Sequence, residues 1–413
     1  MNKRNLKICI VGLGYVGLPL AHRFSLKGFD ITGFDISVKR IEELKALNDI
    51  NDDIEVHMLN ELNDNSKLTS DVHDISGMDI YIITVPTPIK QDKTPNLDPV
   101  INASKLVGNS IKEGSIVIYE STVYPGVTDD ICTPILEEES GLEFNKNFYT
   151  GYSPERIVPG DKINTIEKIK KVVSASDAKS LEIISFLYSS IIDAGIHVAP
   201  SIKVAEASKI TENVQRDVNI ALVNELHQIF TSLDINTIDV IEAASTKWNF
   251  MKLTPGLVGG HCISVDPYYL MHRSMLTGYM PNIMRSAREV NEGMGQWVLG
   301  IFLRYAQKNN IDLGSKEITF FGYTFKENCN DIRNTKVLDL ILAMKSLNIK
   351  LSLWDPLLEK SDIKDLESKG IKVHYEQPAD VDFAFICVYH DEIMNYLETY
   401  NGPRFDYKNI LSK

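Results

Sequence analysis

Apolar residues at the start of the chain fall into short runs that are separated by segments of helical pattern. Residues 6–11 form an apolar run typical of a strand, a glycine-rich turn follows, and a helical pattern continues to about Lys27. A second run ends at Asp35, and further strands are predicted over 78–88 and 114–122. Strands that alternate with helices predict a parallel, doubly wound α/β sheet.

The pattern changes in the middle of the chain, where one long helix is predicted from Ile202 to about Leu233. Its apolar residues recur every four positions and form a stripe. The members of this stripe are Ile210, Val214, Val218, Leu222, Leu226 and Phe230. Such a stripe indicates a linking or dimerising helix. A second short helix and a loop rich in glycine and proline (254–267) follow it.

After Gly314 the α/β pattern returns as strand, turn, helix and a strand that ends at Asp355, and residues 381–388 indicate a further buried strand. This unit repeats the order of the N-terminal one without its glycine motif. We therefore predict an α/β fold, with two Rossmann-like doubly wound domains joined by a long central helix and a helical dimer core. The predicted domains are 1–200, 201–312 and 313–413.

Composition narrows the choice of partners. The chain has 413 residues and a net charge of −13, which argues against nucleic acid or an anionic membrane as a partner, and an anionic substrate would need local cations. It has no apolar run long enough to span a bilayer, and no cleavage site follows the basic N-terminus, so we expect a cytoplasmic protein. Five cysteines without a CxxC pair argue against disulfides and structural zinc, and we predict no metal.

Three glycines make up the motif G-x-G-x-x-G between the first strand and the first helix: Gly12, Gly14 and Gly17. The first permits a tight turn, the second allows the backbone to approach a pyrophosphate, and the third allows close packing of helix and strand. Asp35 follows Gly14 by 21 residues and could accept both ribose hydroxyls while repelling a 2′-phosphate. The motif favours NAD over NADP; the alternative is a glycine turn that binds no nucleotide.

The stretch GGHCISVDP (259–267) places one thiol, Cys262, four residues before a carboxylate, Asp266. The residues alone allow a buried apolar thiol, half of a metal site, or a nucleophile with a base beside it. The metal interpretation lacks further ligands at a recognisable spacing. A buried structural thiol is the usual role of a single cysteine, but a tight loop between glycines and Pro267 is a better place for function than for packing.

Other polar residues have two interpretations each. Lys209 and Asn213 are four apart, so they project from one face of the long helix, where they could hold an oxyanion or simply form an exposed polar face. Glu155 and Arg156 lie in a proline-flanked loop, and the local sequence favours a solvated charge pair. Thr122 lies at the carboxyl end of a predicted strand, where parallel sheets bind ligands.

Several motifs in order resemble the UDP-sugar 6-dehydrogenase family over residues 6–410: GLGYVGLPLA, VPTP, STVYPG, YSPER, the helical Lys and Asn, GGHCISVDPYYL and YTFKENCNDIRNTK. The resemblance implies oxidation of the sugar C6 alcohol to a carboxylate by two NAD molecules in turn. It further implies an NAD-binding first domain, a central domain that carries the catalytic lysine and cysteine, and a UDP-sugar-binding last domain. A homodimer or larger homo-oligomer is implied as well.

The resemblance also assigns roles to individual residues. It implies that Cys262 captures the C6 aldehyde as a thiohemiacetal, which is then oxidised to a thioester. Lys209 and Asn213 are implied to stabilise oxyanions, and Asp266 and Thr122 to position the catalytic water. Similarity to the family implies proton handling by Glu155 during thioester hydrolysis, substrate contact by Lys326 and cofactor contact by Arg333.

The full set of cofactor positions implied by the resemblance is Gly12, Gly14, Tyr15, Val16, Gly17, Asp35, Arg40, Thr87, Thr122 and Arg333. The implied substrate positions are Glu155, Arg156, Ile157, Lys209, Asn213, Gly259 and Lys326. One departure from the family is the loop before the cysteine, where members often have an arginine that reaches a neighbouring subunit and this chain has Lys247.

Within the family, the motifs TKWNF…PGLVGGHCISVDPYYL and YTFKEN…D.RNTK together resemble the branch that oxidises UDP-N-acetylhexosamines. The glucose-oxidising branch more often has serine where this chain has His261. The resemblance implies UDP-GlcNAc or UDP-GalNAc as substrate and a uronic acid for bacterial capsule or O-antigen synthesis. UDP-N-acetylmannosamine and UDP-glucose are the alternatives within the family. More distant alternatives are a two-electron hydroxyacid dehydrogenase, which would not need Cys262, and a nucleotide-sensing protein without turnover.

Overall fold

The computed structural model describes residues 6–50, 53–157, 165–260 and 262–410. The chain divides into two compact units, one of Met1–Glu212 with Tyr268–Tyr279 and the other of Asn213–Pro267 with Met280–Lys413. The division into three domains that the sequence suggests stays a prediction beside these two units.

The first unit is built on an eight-stranded sheet. Its strands are β1 (Lys7–Val11), β2 (Asp30–Phe34), β3 (Ser66–Thr69), β4 (Ile80–Ile83), β5 (Ile116–Tyr119), β6 (Tyr149–Tyr152), β7 (Lys171–Ala175) and β8 (Ile196–Val198). They are arranged β3-β2-β1-β4-β5-β6-β7-β8, and neighbours are parallel except for the antiparallel pair β6–β7. All residues of β4 and β5 are buried, as in parallel strands that are covered on both faces.

Helices cover this sheet and complete its core. They are α1 (Gly17–Leu26), α2 (Val38–Lys45), α3 (Val56–Asn65), α4 (Asp98–Gly108), α5 (Thr133–Ser140) and α6 (Ala178–Ser189). Leu18 and Phe24 of α1 and Ile184 and Leu187 of α6 are fully buried in the same apolar cluster as β1 and β4. The order of strands and helices is that of a doubly wound Rossmann-like sheet, which confirms the predicted fold class for this part of the chain.

Local sequence fixes the ends of several helices. The Ser37 side chain accepts the N–H of Arg40 at the start of α2, and Asp177 accepts the N–H of Ser180 at the start of α6. Gly141 adopts the left-handed conformation that ends α5. Short polar residues and glycine therefore set where these helices begin and end.

A run of helices follows the first sheet. These are α7 (Ile202–Ser232), α8 (Thr237–Ser245), α9 (Asp266–Leu276) and α10 (Asn282–Lys308). The long helix predicted from Ile202 is confirmed. Its predicted stripe is not uniformly buried, since Ile210 is fully buried and Leu222 is 54% exposed.

The second sheet belongs to the second unit and has five parallel strands. The elements are β9 (Glu317–Phe321), α11 (Lys336–Ser346), β10 (Lys350–Trp354), α12 (Lys360–Ser368), β11 (Lys372–Val373), β12 (Phe383–Ile386), α13 (Asp391–Thr399) and β13 (Arg404–Asp406). The strand order is β11-β10-β9-β12-β13. This order repeats that of the first five strands of the first sheet, β3-β2-β1-β4-β5, so the predicted pair of Rossmann-like sheets is confirmed.

Candidate active site

The turn between β1 and α1 holds the three glycines of the motif. Gly12 has a φ of +98°, which L side chains rarely adopt. A Cβ on Gly17 would lie 1.9 Å from the Gly12 carbonyl oxygen, so only glycine allows α1 to pack this close to β1. A Cβ on Gly14 would meet nothing within 4 Å, which leaves this backbone open to a ligand at the N-terminus of α1.

Asp35 follows β2 beside this turn, and the backbone fixes its carboxylate. Oδ2 accepts the N–H of Leu13 at 2.9 Å, and Oδ1 accepts the N–H of Ser37 at 2.9 Å. The side chain is half-buried and keeps solvent access. A fixed negative charge next to an open glycine turn suits the two hydroxyls of an adenosine ribose and disfavours a 2′-phosphate. These residues therefore fit NAD.

Arg40, a predicted cofactor residue, is buried in an ion-pair cluster. Its Nε donates to the carbonyl of Leu13 at 3.0 Å, and its two Nη atoms bond Asp49 at 2.6 Å and Asp53 at 3.0 Å. In this arrangement the guanidinium holds the glycine turn against the segment that follows α2. A direct cofactor contact by Arg40 stays a prediction.

The carboxyl ends of β4, β5 and β6 lie at one edge of the first sheet because these strands are parallel. Thr87, Thr122 and Glu155 each follow one of these strands, so the structure places them along the edge that also carries the glycine turn. Thr87 is buried, and its carbonyl accepts the hydroxyl of Tyr269 at 2.9 Å. Tyr15 and Thr122 are half-buried, and Val16 is buried.

Glu155 is buried, so its interpretation as part of a solvated charge pair is wrong. The side chain is 7% exposed, and Oε1 accepts the backbone N–H groups of Arg156 at 2.5 Å and Ile157 at 2.8 Å. Oε2 accepts Lys171 Nζ at 2.7 Å. Arg156 instead pairs with Glu212, with 2.6 Å between Nη2 and Oε1.

A second buried carboxylate, Glu120, shares the same lysine. Lys171 Nζ lies 2.7 Å from Glu120 Oε2, and the hydroxyl of Tyr188 donates to Glu120 Oε1. Both side chains of the Lys171–Glu120 pair are almost completely buried. We call these four side chains, Glu120, Glu155, Lys171 and Tyr188, the carboxylate cluster. Glu120 directly precedes the STVYPG loop, which begins at Ser121 and contains Thr122.

Burial and charge act differently on the two carboxyl groups. Burial raises the pKa of Glu120 to about 7, against the opposing charge of Lys171. Burial has the same tendency at Glu155, but the Lys171 charge and the hydrogen bonds from Lys171 and two backbone amides outweigh it and lower the pKa of Glu155. The two carboxylates together raise the pKa of Lys171, which stays charged despite its burial.

Glu206, near the start of α7, is a third buried carboxylate and anchors the same loop. Its Oε2 accepts the N–H of Gly126 at 2.6 Å, and its Oε1 accepts the N–H of Thr128 at 2.9 Å. Burial raises the pKa of this side chain to about 7. Glu206 therefore fixes the loop that follows Thr122 to the helix that carries Lys209.

Cys262 differs from the other cysteines of the chain in its exposure. It is half-buried, whereas Cys9, Cys132, Cys329 and Cys387 are buried. Its carbonyl accepts the N–H of Asp266 at 2.8 Å, so the cysteine lies one turn before the start of α9. This is the only one of the five positions, all of them described, that combines a thiol with partial solvent access.

The glycines before Cys262 bring its loop against the segment between β9 and α11. A Cβ on Gly259 would lie 2.7 Å from the carbonyl oxygen of Asn334. Gly260 has a φ of +84°, and a Cβ there would lie 2.8 Å from the Phe325 ring. The two glycines therefore allow the cysteine loop to pack directly on residues 325–335.

Asn213 and Asp266 form a direct hydrogen bond. Asn213 Nδ2 donates to Asp266 Oδ2 at 2.5 Å, and Asp266 is only 2% exposed. Lys209 lies one turn before Asn213 on α7 and is buried, so these two residues do not form the exposed polar face that was the alternative. The hydrogen bond orients an amide and a carboxylate from parts of the chain that are 53 residues apart.

The second Rossmann-like unit uses its own aspartate differently. Asp355 Oδ2 accepts the N–H groups of Tyr323 at 2.6 Å and Thr324 at 3.1 Å, and His390 Nε2 lies 3.1 Å away. The residue is 5% exposed. The turn after β9 therefore holds this buried carboxylate, which lacks the solvent access that Asp35 keeps.

A cleft in the second unit carries cations. Lys326, Lys336 and Lys408 line it together with the backbone of Gly256 and Leu257. Arg333 lies nearby in the chain and pairs with Asp331, at 2.5 Å between Nη2 and Oδ2. Glu327 also lines the cleft, 3.5 Å from Lys408, and Lys336 pairs with Glu292 at 2.6 Å, so part of this positive charge is neutralised within the protein. The three lysines outnumber the one carboxylate of the lining, which leaves a local excess of cations for an anionic ligand.

The sequence did not identify every residue of the site, and one predicted residue lies outside the part of the chain that the structure describes. His261, the position used to choose between family branches, lies outside the described residues. The sequence analysis missed Glu120, Lys171 and Glu206. For Lys171, the available signal was a lysine at the border of the apolar run KVVSA. Lys247 is exposed.

Within the described ranges, no group of three or more His, Cys, Asp or Glu side chains has an arrangement that could hold a metal ion. Among the helices that the structure describes, none is both long enough and apolar enough to cross a bilayer.

The sheet order, the glycine turn and Asp35 define the class of NAD-binding Rossmann-like proteins. Residues 6–192 match the NAD binding domain of the UDP-glucose/GDP-mannose dehydrogenase family. Residues 203–293 match its central domain and residues 319–413 its UDP binding domain. The chain belongs to the UDP-glucose/GDP-mannose dehydrogenase family, which confirms the resemblance found in the sequence.

Individual relatives cover nearly the whole chain. The UDP-N-acetyl-D-glucosamine 6-dehydrogenases of Pseudomonas aeruginosa and Salmonella typhi are each 46% identical to it, over 95% and 94% of this chain and 92% and 90% of theirs. The solved structure of a UDP-D-ManNAc dehydrogenase from Pyrococcus horikoshii superimposes with a TM-score of 0.84 at 28% identity, over 96% of this chain and 91% of that one.

Proposed function

We propose that this enzyme is a UDP-N-acetylhexosamine 6-dehydrogenase that converts the C6 alcohol of UDP-GlcNAc, or of its epimer UDP-GalNAc, to a carboxylate. The observation that carries this proposal is the 46% identity to two UDP-N-acetyl-D-glucosamine 6-dehydrogenases over almost the whole chain. The cysteine loop supports it, because a partly exposed thiol is needed to retain an aldehyde between two oxidations. The product is a UDP-linked uronic acid for a bacterial surface polysaccharide.

Bound NAD supplies the acceptor for the two electrons removed in each oxidation. The glycine turn and Asp35 would hold its pyrophosphate and adenosine ribose. After the first oxidation, the Cys262 thiolate adds to the C6 aldehyde carbon, and the carbonyl oxygen becomes the oxyanion of a thiohemiacetal. The second oxidation converts this adduct to a thioester on Cys262. Water then attacks the thioester carbon, and the Cys262 thiolate leaves as the carboxylate forms.

The polar residues of α7 and α9 would serve the charged steps. Lys209 and Asn213 would donate to the C6 oxyanion, and the hydrogen bond from Asn213 to Asp266 supports this by fixing the amide. Asp266 and Thr122 would position the attacking water. Glu155 would receive the proton that the water loses, and its three hydrogen-bond donors hold the carboxylate in one orientation.

The diphosphate of the substrate requires cations, and the second unit supplies them. Lys326 lies in the cleft with Lys336 and Lys408, within the segment that matches a UDP binding domain. Charge-assisted hydrogen bonds from these lysines to the diphosphate would offset the repulsion between the anionic substrate and a chain with a net charge of −13. Arg333 lies in the same segment and is proposed to reach the cofactor.

We propose that the enzyme works as a homodimer or larger homo-oligomer in the cytoplasm. Apolar side chains on and after α7 support an interface: Leu222, Ile229 and Leu233 are 54%, 45% and 59% exposed, and Trp248 is 90% exposed. Exposed apolar residues in this number within one segment mark an interaction surface. A molar mass in solution equal to a single chain, measured by light scattering, would contradict the oligomer.

Each UDP-sugar oxidised should yield two NADH, with no free aldehyde in solution, because the Cys262 adduct retains the intermediate. The measurement combines NADH absorbance with the mass of the product. A ratio of one NADH per sugar with aldehyde release would support the two-electron hydroxyacid-type alternative. No NADH with any UDP-sugar, despite NAD binding, would support a nucleotide-sensing protein.

UDP-GlcNAc or UDP-GalNAc should be oxidised with a kcat/KM roughly 10- to 100-fold above that of UDP-glucose. A pocket shaped for the 2-acetamido group leaves a donor or acceptor unpaired when a hydroxyl replaces it, at about 1–3 kcal/mol per group. The comparison uses the same preparation with all substrates and includes UDP-N-acetylmannosamine. A higher kcat/KM for UDP-glucose or for the manno isomer would overturn the choice of sugar.

A further inference from the structure

The carboxylate cluster places one lysine between two buried carboxylates, next to residues of the proposed site. Glu120 lies two residues before Thr122 at the end of β5, and Glu155 lies three residues after the end of β6. Lys171 begins β7, and because β7 is antiparallel to β6, its side chain reaches the same edge of the sheet. Each carboxylate has one oxygen 2.7 Å from Lys171 Nζ, so these two oxygens are no more than twice that distance apart.

The two carboxylates differ in the number of donors that face them. Glu155 accepts three hydrogen bonds, from Lys171 and from two backbone N–H groups that cannot move away. Glu120 accepts Lys171 and the Tyr188 hydroxyl, and the Tyr188 ring also lies 5.5 Å from Lys171 Nζ. With both acids ionised, the cluster carries one uncompensated negative charge in a buried place. The proton that removes this charge therefore binds at Glu120, which has fewer donors.

We propose that Glu120 and Lys171 are positioning residues for Glu155: Lys171 holds the Glu155 carboxylate in place as an anion, and the ionisation of Glu120 sets how strongly Glu155 attracts a proton. This inference rests on the proposed function, in which Glu155 accepts the proton of the attacking water. When Glu120 is protonated, Glu155 is the only anion beside Lys171 in the cluster. The lysine charge then stabilises the Glu155 carboxylate more strongly, and Glu155 is a weaker base. When Glu120 ionises, its charge raises the proton affinity of Glu155, and thioester hydrolysis becomes faster.

The direction of the pH dependence follows from the groups that face Glu120, which are Lys171 from β7, Glu155 from the loop after β6, and Tyr188 from α6. Burial raises the pKa of Glu120 to about 7. The rate of uronate formation should therefore rise with pH through this region. For a single group with this pKa, the ionised fraction increases by about tenfold between pH 6 and pH 8.

The test compares Glu120→Gln and Tyr188→Phe with the wild-type enzyme. The Glu120→Gln side chain stays neutral and keeps one acceptor oxygen, which can face Lys171 while its NH2 group donates to the Tyr188 hydroxyl. The rate of this variant should therefore stay at the low-pH value of the wild type and lose the rise near pH 7. Tyr188→Phe removes a donor to the ionised Glu120, which raises the pKa of this carboxyl group, so the rise should move to higher pH. A residue with a purely structural role would alter the rate at all pH values without moving the rise.

Infrared spectroscopy of the protein without cofactor and substrate gives a second readout. The C=O stretch of buried carboxylic acid should decrease as the pH is raised through about 7, with contributions from Glu120 and from Glu206, whose pKa burial also raises to about 7. Glu120→Gln should lose the Glu120 part of this change and keep the Glu206 part. If Glu120→Gln does not fold, the comparison of Tyr188→Phe with the wild type decides the question, because this substitution should move only the Glu120 part of the infrared change to higher pH. If Glu120→Gln or Tyr188→Phe folds, is active and has the wild-type pH profile, this inference is overturned and the proposed function is unaffected. If the folded wild-type enzyme oxidises no UDP-sugar, the proposed function itself is overturned.

Discussion

Cys262→Ala should lower uronate formation by roughly 10⁴-fold, which is about 5 kcal/mol of transition-state stabilisation. The thiol is the only group in the proposed mechanism that can hold the aldehyde carbon between the two oxidations. Affinity for NAD should stay unchanged, because the glycine turn and Asp35 belong to the first compact unit and Cys262 to the second. Rapid-quench product analysis and NAD titration measure the two effects separately.

The matched control is Cys132→Ala, which also removes one thiol. Cys132 is fully buried, and burial raises its pKa to about 12, so it is not a nucleophile near neutral pH. This control should lose stability because of the small cavity, with kcat near the wild-type value. Turnover by Cys262→Ala at the rate of Cys132→Ala would show that Cys262 is a structural thiol.

Cys262→Ser distinguishes a missing nucleophile from a poor leaving group. The serine hydroxyl can add to the aldehyde, but an alkoxide leaves an ester more slowly than a thiolate leaves a thioester. The variant should therefore accumulate a covalent ester, visible as a mass increase of the intact protein. If neither the wild-type enzyme nor Cys262→Ser forms a covalent adduct, the intermediate is not retained covalently.

The sheets could be predicted because strands in a covered parallel sheet are continuous apolar runs, and this pattern requires no long-range information. The ends of the strands were less predictable. The apolar character of 78–88 continues beyond Ile83, where β4 ends, because the following residues form the loop along the carboxyl edge of the sheet. Apolar sequence alone cannot distinguish a buried strand from a buried loop.

The stripe on α7 shows a second limit of the pattern. A spacing of four residues advances by roughly 40° at each step around a helix with 3.6 residues per turn. The stripe therefore winds around the helix, from the fully buried Ile210 to Leu222, which is 54% exposed. The exposed apolar residues of the stripe would be buried if a second chain packed against them. The sequence pattern alone does not show which surface covers them.

Site residues that belong to one sequence motif could be predicted. Contacts that depend on how distant strands pair in the sheet could not. The glycine turn and Asp35 have the predicted geometry because they are separated by one helix. Glu155 appeared to be solvated beside Arg156, but it meets Lys171, 16 residues later, only because β7 pairs with β6 in antiparallel register. The Asn213–Asp266 hydrogen bond likewise depends on folding across 53 residues.

Gly17→Ala should destabilise the first unit and weaken NAD binding together. The added Cβ would lie 1.9 Å from the Gly12 carbonyl oxygen and 2.5 Å from Thr84 Oγ1, both well inside van der Waals contact. The Thr84 hydroxyl already donates to the Gly12 carbonyl at 2.7 Å, so neither atom can retreat without breaking the turn. Overpacking of this kind costs about 3 kcal/mol, and we expect a fall in Tm of roughly 5–10 °C.

Gly14→Ala is the matched control, because the same methyl group at this position would meet nothing within 4 Å. Its Tm should stay near the wild-type value, while NAD affinity should fall by at least about tenfold, since the methyl group occupies the space through which the backbone approaches the pyrophosphate. Calorimetric titration with NAD and thermal unfolding without NAD separate the two variants. A wild-type Tm for Gly17→Ala would contradict the close packing of α1 on β1, and wild-type NAD affinity for Gly14→Ala would place the pyrophosphate elsewhere.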